Sequence, residues 1–479
     1  MAHPPDRRVK VPLRVTAPRV STPRISLEQT QRYDKPGPRY TSYPTAVEFH
    51  DGFGSEQYRD ALRAARAVPA PLSLYIHLPF CAERCLYCAC NVVITPHTRV
   101  AAPYLDYLEM ELDLVAAELG GSRPVAQLHL GGGTPTYYTP TQLNELMTCL
   151  QRRFHFTRDA EKALEVDPRV TTREHLETLA ADGFNRLSLG VQDFDPTVQL
   201  AVNRVQSVEQ TAELMEDARE LGFDSLNVDL IYGLPHQNPD SFARTIEQVI
   251  QLRPDRLAVY SFALVPWLKH HQTDLPQEAL PTPETKLELL STAREGLTAA
   301  GYLDIGMDHF ALPDDELALA QRDGRLWRNF MGYTTVRAPD MVGLGISAIG
   351  SVGGTFSQNE KKLTRYYAAL DEGRLPVERG YSLSGDDLLR QHVIREWMCQ
   401  FRIDMSDVGR RFGVAFGDYF ASELETLRRE FVPEGLVRVS DDSIEAEPLG
   451  RLFPRNVAMV FDAYLRAKRA DGPMFSRTV

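Results

Sequence analysis

Four cysteines fall within ten residues, Cys81, Cys85, Cys88 and Cys90, of only six in the whole chain. Their spacing is Cys-x3-Cys-x2-Cys, with one more cysteine two residues on. The apolar run Leu72-Ser73-Leu74-Tyr75-Ile76-His77 precedes them and reads as a buried strand. The cysteines therefore sit on a loop leaving a strand's carboxyl end, where α/β barrels carry their chemistry.

Thiols this close serve as a disulfide, a structural zinc site, a redox dithiol or iron–sulfur ligands. Disulfides belong to oxidising compartments, and the expected N-terminus has no apolar stretch of a secretory signal. Zinc usually takes two separated pairs, and no second pair follows at the right distance. A thioredoxin-like site needs one Cys-x-x-Cys. Thiolates crowded on one loop suit a compact cubane. On spacing alone, zinc and chance clustering stay open.

Bulk properties narrow the function classes. A chain of 479 residues accommodates one large domain and one or two smaller ones. A net charge of −12 argues against nucleic-acid or anionic-membrane binding. No apolar run reaches the length of a membrane span. Cys149 and Cys399 fall in expected helices and read as buried core thiols. These features suit a cytoplasmic protein.

Residues 1–30 mix prolines with arginines and read as a disordered basic arm. Residues 31–70 form a second arm containing Tyr33, Tyr40 and Tyr43. With Lys35 and Arg39, these tyrosines suit either the capping of a flat acidic ligand or tucking onto the core. Residues 71–375 alternate strands and helices. The strands are expected at 72–77, 125–130, 163–166, 185–190, 224–231 and 256–263, and the clearest helix at 104–119. Six such units imply an α/β fold with an incomplete (β/α)6 TIM-like barrel. The strand ends are polar or glycine-rich: Gly131-Gly132-Gly133-Thr134, Glu165 with Asp167, Gly190 to Asp193, Asp229, and Tyr260 to Ala263. Further on, His309 is a candidate base or a structural histidine. Residues 376–479 read as a mainly helical, winged-helix-like domain, with helices at 385–400 and 417–430 and a hairpin turning at Asp441-Asp442. That segment lacks a concentrated basic face, so a lid or brace fits better than DNA binding.

The chain resembles the oxygen-independent coproporphyrinogen III oxidases of the radical S-adenosylmethionine superfamily. The likeness rests on the cysteine loop with Tyr87 before its third cysteine and on Pro38-Arg-Tyr-Thr-Ser-Tyr-Pro44. It rests also on Gly131-Gly-Gly-Thr-Pro-Thr136, Glu165-Val-Asp-Pro168, Gly190-Val-Gln-Asp193, Val202-Asn-Arg204, Gly306-Met-Asp-His-Phe310 and Gly332-Tyr-Thr-Thr335. The resemblance runs from Tyr33 to Arg477. Ala89 and Leu130 depart from the family's usual glycine and aromatic.

The resemblance implies a [4Fe-4S] cluster on Cys81, Cys85 and Cys88, with one iron open to S-adenosylmethionine. One electron then cleaves the sulfonium and releases a 5′-deoxyadenosyl radical. Tyr75, Gly132 and Glu165 would hold that first molecule. Tyr87, Gly133, Thr134, Gln192, Arg204, Asp229, Ala263 and Ile349 would hold a second. Cys90 and Glu165 would serve in catalysis. The reaction would turn two propionates of coproporphyrinogen III into vinyl groups, giving protoporphyrinogen IX. Arg39, Lys35, Arg204 and Arg328 are candidates for the substrate's carboxylates. The implied partner is an electron donor such as flavodoxin or ferredoxin, with no nucleic acid or membrane, and the implied state a monomer. The alternative is a haem-binding chaperone of the same superfamily, which typically lacks the tyrosine-rich arm and the fourth cysteine.

Overall fold

The computed structural model describes residues 26–120, 123–467, 475 and 477. Most of the arm expected over 1–30 lies outside these residues. Its end departs from expectation, because Leu27–Tyr33 is a helix. The cause is local: Ser26 and Gln29 exchange side-chain-to-backbone bonds of 2.9 and 3.1 Å, a capping box.

The chain then builds β1 (Leu72–Leu78), the short pair β2 (Phe80–Cys81) and β3 (Val93–Ile94), and β4 (Val125–Gly132). Next come β5 (Phe156–Val166), β6 (Arg186–Gln192), β7 (Ser225–Tyr232) and β8 (Arg256–Ser261). β1 and β4 to β8 pair in parallel in sequence order, with helices crossing over between them. These are the six expected strands. The incomplete barrel follows from their connections, since each parallel step needs a helical return over the outer face.

The strand pattern decides what faces inward. In β6, Leu187, Leu189 and Val191 are buried while Ser188, Gly190 and Gln192 are not fully so. β7 repeats the alternation, with Leu226, Val228 and Leu230 buried. The apolar set packs under the helices, and the polar set lines the barrel interior.

The sheet extends further than the alternation indicates. β9 (Leu303–Gly306) and β10 (His309–Ala311) add antiparallel strands beside β8. β11 (Trp327–Asn329) and β12 (Gly332–Thr334) form a separate hairpin. β13 (Asp340–Leu344) then lies parallel to β1 on its other side. β14 (Ile349–Val352), β15 (Thr355–Asn359) and β16 (Val377–Ser382) complete a twelve-stranded sheet with antiparallel steps. β16 therefore continues the sheet beyond residue 375.

The C-terminal region opens with the helix Gly385–Gln400. β17 (Arg402–Asp404), β18 (Val437–Val439) and β19 (Ser443–Ala446) make a three-stranded sheet, with β18 and β19 joined across Asp441 and Asp442. The helix expected at 417–430 is broken: Phe416–Tyr419, then Ala421–Thr426, then one π turn. Its core shelters Trp397, Phe420 and Phe461 together with Tyr33, Tyr40 and Tyr43 of the arm. Tyr40 donates to Asp462 at 2.8 Å, and the Tyr43 hydroxyl accepts from the backbone of Ala463 at 3.1 Å. The arm tyrosines are thus tucked into this core.

Candidate active site

The cysteine loop is pinned from within and without. Its neck is closed by the β2–β3 pair, and the Thr134 N–H donates to Phe80 at 2.9 Å. Its outer carbonyls are taken by residues far along the chain. Gln272 donates to Tyr87 at 3.0 Å, His271 to Cys88 at 2.8 Å and Lys269 to Cys90 at 2.7 Å. Asn203 donates to Arg84 at 2.8 Å, and the Leu86 N–H donates to Val202 at 3.0 Å. With its backbone so occupied, the loop turns its sulfurs inward.

Those sulfurs line a cavity of about 510 Å³ at the carboxyl ends of the strands. The structure gathers there Cys81, Cys85, Cys88, Cys90, Tyr87, Gly132, Gly133, Thr134, Glu165, Gln192, Arg204 and Asp229. Tyr75, Ala263 and Ile349 are outside that lining. Tyr75 stands one layer back, its hydroxyl 3.1 Å from His77 and its ring stacked on His129. The Ala263 carbonyl accepts from Gln272 at 3.1 Å, and Ile349 begins β14 on the far side of β13.

The sulfurs sit in different electrostatic settings. Cys85 accepts from Arg204 at 3.6 Å and from Arg169 at 3.7 Å. Both guanidinium groups also pair with Asp167, at 3.1 and 2.7 Å. Burial works against the Arg204 charge, but Tyr87, Asp167 and Cys85 outweigh it and raise its pKa. Burial pushes Cys81 up to about 11, while Cys81 lies 3.4 Å from the Thr134 hydroxyl. Cys88 is pulled down by a hydrogen bond from Cys90, with Lys269 and Arg204 adding to it, and Cys90 is raised correspondingly. No disulfide joins any two of the six cysteines in the structure.

The glycine ledge is fixed by sterics. Gly132 has φ +107°, and a Cβ there would lie 2.4 Å from the His77 ring. A Cβ on Gly133 would lie 2.6 Å from the backbone of Pro79. Beside the ledge, Glu165 accepts from the Gly132 N–H at 3.1 Å and lies 3.6 Å from His129. Burial alone would raise its pKa, but these partners lower it, so the carboxylate is ionised. It is hemmed in by protein, yet its side chain keeps 46% of its accessible area, because it faces the cavity. Asp229 differs: burial pushes it up to about 6, against bonds donated by Asn227 at 2.8 Å and Ser188 at 3.0 Å.

Of the arginine candidates, Arg39 pairs with Asp308 and lies over the ring of Tyr260, which lines the cavity. Arg328 donates to the Arg39 and Tyr40 carbonyls at 3.2 and 3.3 Å, so it holds the arm. Lys35 is exposed. His309 is brought down to about 3 by burial and by Arg328 and Arg39, so it is a neutral imidazole between Tyr260 and Tyr333. Sequence reasoning missed Arg169, Ser188 and Asn227, and it missed the tethers Lys269, His271 and Gln272. The alternation of β6 and β7 was the available signal for Ser188 and Asn227.

The donor set fits an iron–sulfur cluster. Three thiols of one loop share a cavity wall, two arginines point at one sulfur, and the cavity beyond is large enough for a cofactor.

Comparison with known proteins agrees. The Radical SAM superfamily profile matches residues 75–249. An oxygen-independent coproporphyrinogen III oxidase of Pseudomonas aeruginosa is 48% identical over 462 residues, covering 96% of this chain and 100% of the relative. The namesake of Escherichia coli is 47% identical over 449 residues, covering 94% of this chain and 97% of its own. The solved structure described as coproporphyrinogen III oxidase (HemN) from Escherichia coli, a radical SAM enzyme, superposes with a TM-score of 0.86 at 47% identity. It covers 89% of this chain and 97% of that one. Likeness of this extent, together with the three-thiol loop, means that the chain belongs to the oxygen-independent coproporphyrinogen III oxidase family of radical SAM enzymes.

Proposed function

We propose that this protein decarboxylates two propionates of coproporphyrinogen III to vinyl groups, giving protoporphyrinogen IX without oxygen. The observation that carries this reading is the single cavity in which the thiols of the cysteine loop face the glycine ledge and Glu165. Radical SAM membership brings a [4Fe-4S] cluster and S-adenosylmethionine, which together supply a primary carbon radical able to take an unactivated hydrogen. Loss of that hydrogen, then of carbon dioxide with one electron passed to an external electron acceptor, converts a propionate to a vinyl.

The chain's residues bind and orient. Cys81, Cys85 and Cys88 are the proposed cluster ligands. Arg169 and Arg204 offset thiolate charge at Cys85, and Asp167 keeps both arginines in place. Tyr75, Gly132 and Glu165 are the proposed site of one S-adenosylmethionine, with ionised Glu165 as acceptor for its amino group. Tyr87, Gly133, Thr134, Gln192, Arg204, Asp229, Ala263 and Ile349 are proposed for a second molecule. Most of this set lines the same cavity, which supports the assignment. Cys90 is a proposed catalytic thiol beyond the triad. The arm over 31–70 and the domain over 376–479 are read as closing the barrel unit of 71–375 against water. The protein is read as a cytoplasmic monomer, reduced by flavodoxin or ferredoxin. No helix among the described residues is long and apolar enough to cross a membrane.

The test is anaerobic incubation of iron- and sulfide-reconstituted protein with coproporphyrinogen III, S-adenosylmethionine and a reductant. Protoporphyrinogen IX, methionine and 5′-deoxyadenosine are expected. Haem transfer without 5′-deoxyadenosine would favour the chaperone reading instead.

A further inference from the structure

We propose that the outer face of the cysteine loop is the docking surface for a small acidic protein that carries one electron. The proposal rests on the function above, because that chemistry needs an electron from outside the chain. In the step, the carrier loses one electron and the cluster gains one, and no bond or proton is exchanged.

The first observation is apolar exposure. The four most exposed large hydrophobic side chains among the described residues are Leu200, Leu268, Val205 and Trp267, at 70, 69, 58 and 55%. All four flank tethers of the cysteine loop. Leu200 and Val205 bracket Val202 and Asn203, which bond to Leu86 and Arg84. Trp267 and Leu268 immediately precede Lys269, which bonds to Cys90. Val198, Val202, Leu234, Phe262 and Leu275 form one small buried cluster against which Leu86 and Tyr87 of the loop pack. Val202 and its neighbours thus join the segment carrying Leu200 and Val205 to the loop, and the Lys269 bond joins the segment carrying Trp267 and Leu268 to it. Exposed apolar side chains grouped in this way mark interaction sites.

The second observation is charge. The chain carries −12 overall, yet the loop's surroundings are basic. Arg84 lies on the loop and donates to His271, Lys269 binds the Cys90 carbonyl, and Lys361, paired with Glu378 at 3.3 Å, accepts from Asn91 through its own carbonyl at 3.3 Å. Lys362 follows, exposed. Glu83, the loop's acid, lies 3.8 Å from Arg169. An acidic partner is repelled by the rest of the surface and drawn here. Exposed apolar side chains, a tryptophan among them, near basic groups are the kind of residues such contacts use. A second copy of this chain is disfavoured, since a two-fold contact would set the basic rims face to face.

The test uses the reconstituted full-length protein and an acidic flavodoxin as probe. Three forms are compared: wild type, Trp267→Ala with Leu268→Ser, and Lys362→Glu. Flavodoxin affinity should fall about tenfold in both variants, a loss typical of a hot-spot or rim-charge change. The affinity of wild type should weaken with salt, and less so in Lys362→Glu. The rate of cluster bleaching by reduced flavodoxin should fall in parallel, while bleaching by dithionite stays unchanged. Equal flavodoxin affinity in all three forms would overturn the proposal. So would variants that change self-association or binding to anionic vesicles while leaving flavodoxin binding intact. Affinity is read without turnover, so a failed reaction appears separately, as missing product with flavodoxin binding intact.

Discussion

The carboxylate of Glu165, at the end of β5, accepts the backbone N–H of Gly132, at the end of β4, across 3.1 Å. One bond therefore joins the glycine ledge to the acid proposed to hold S-adenosylmethionine. It depends on Gly132 keeping φ +107° with no side chain beneath the His77 ring. In Gly132→Ala the Cβ must displace His77 or the strand end. The expected loss is about 1–3 kcal/mol of stability from the strained backbone, read by denaturant unfolding. S-adenosylmethionine affinity should drop with it. A variant that unfolds and binds like wild type would mean the ledge is not sterically fixed.

The four loop cysteines should separate into two classes. Alanine at Cys81, Cys85 or Cys88 should leave protein that retains little iron after reconstitution and desalting. Cys90→Ala should retain iron and visible absorption but lose turnover. Iron analysis beside a product assay checks this, and loss of iron in Cys90→Ala would move that thiol into the ligand set.

Arg39 lies over Tyr260 at the cavity's edge and pairs with Asp308. Its loss in Arg39→Ala should weaken coproporphyrinogen III binding by about 10- to 100-fold, the range for one hydrogen bond to a charged group. KM for the porphyrinogen should rise while KM for S-adenosylmethionine stays level. An unchanged porphyrinogen KM would remove Arg39 from substrate binding.

Glu111 gives a pH dependence unconnected with the cluster. It lies buried on the helix Ala101–Leu119 and accepts from Gly345 N–H at 2.7 Å, Asn359 at 2.6 Å and Tyr366 at 2.6 Å. Burial outweighs these three donors and pushes its pKa up to about 7. A carboxyl with a raised folded-state pKa stabilises the fold below its unfolded value, and that contribution is lost as pH rises through about 7. Between pH 5 and 8 the wild type should lose on the order of 2–3 kcal/mol that Glu111→Gln does not lose. Paired denaturant titrations at the two pH values check it, and parallel pH profiles for the two proteins would refute it.

The barrel was legible because its strands carry long apolar runs that end in glycine or acid. Glu165, Asp229 and Gly132 were visible for that reason. β13 was not, because Asp340–Leu344 follows a stretch with no crossover helix to announce a parallel partner for β1. The tethers were hidden by distance in sequence: Lys269 and His271 meet the loop from about 180 residues away, and nothing local marks a side chain that binds a remote carbonyl. Arg169 carries no local signal in the sequence; its place beside the thiols comes from contacts with Asp167 and with Cys85, 84 residues away. The arm tyrosines were ambiguous, since burial against Phe431 and Phe453 and display to a ligand call for the same side chains.

The central claim is a multi-iron cluster on three thiols with one corner left for S-adenosylmethionine. Metal analysis with electron paramagnetic resonance of the reduced, oxygen-protected protein tests it most directly. About four irons per chain, no zinc, and a signal that changes shape when S-adenosylmethionine is added are predicted. Stoichiometric zinc, or an iron signal indifferent to S-adenosylmethionine, would contradict it.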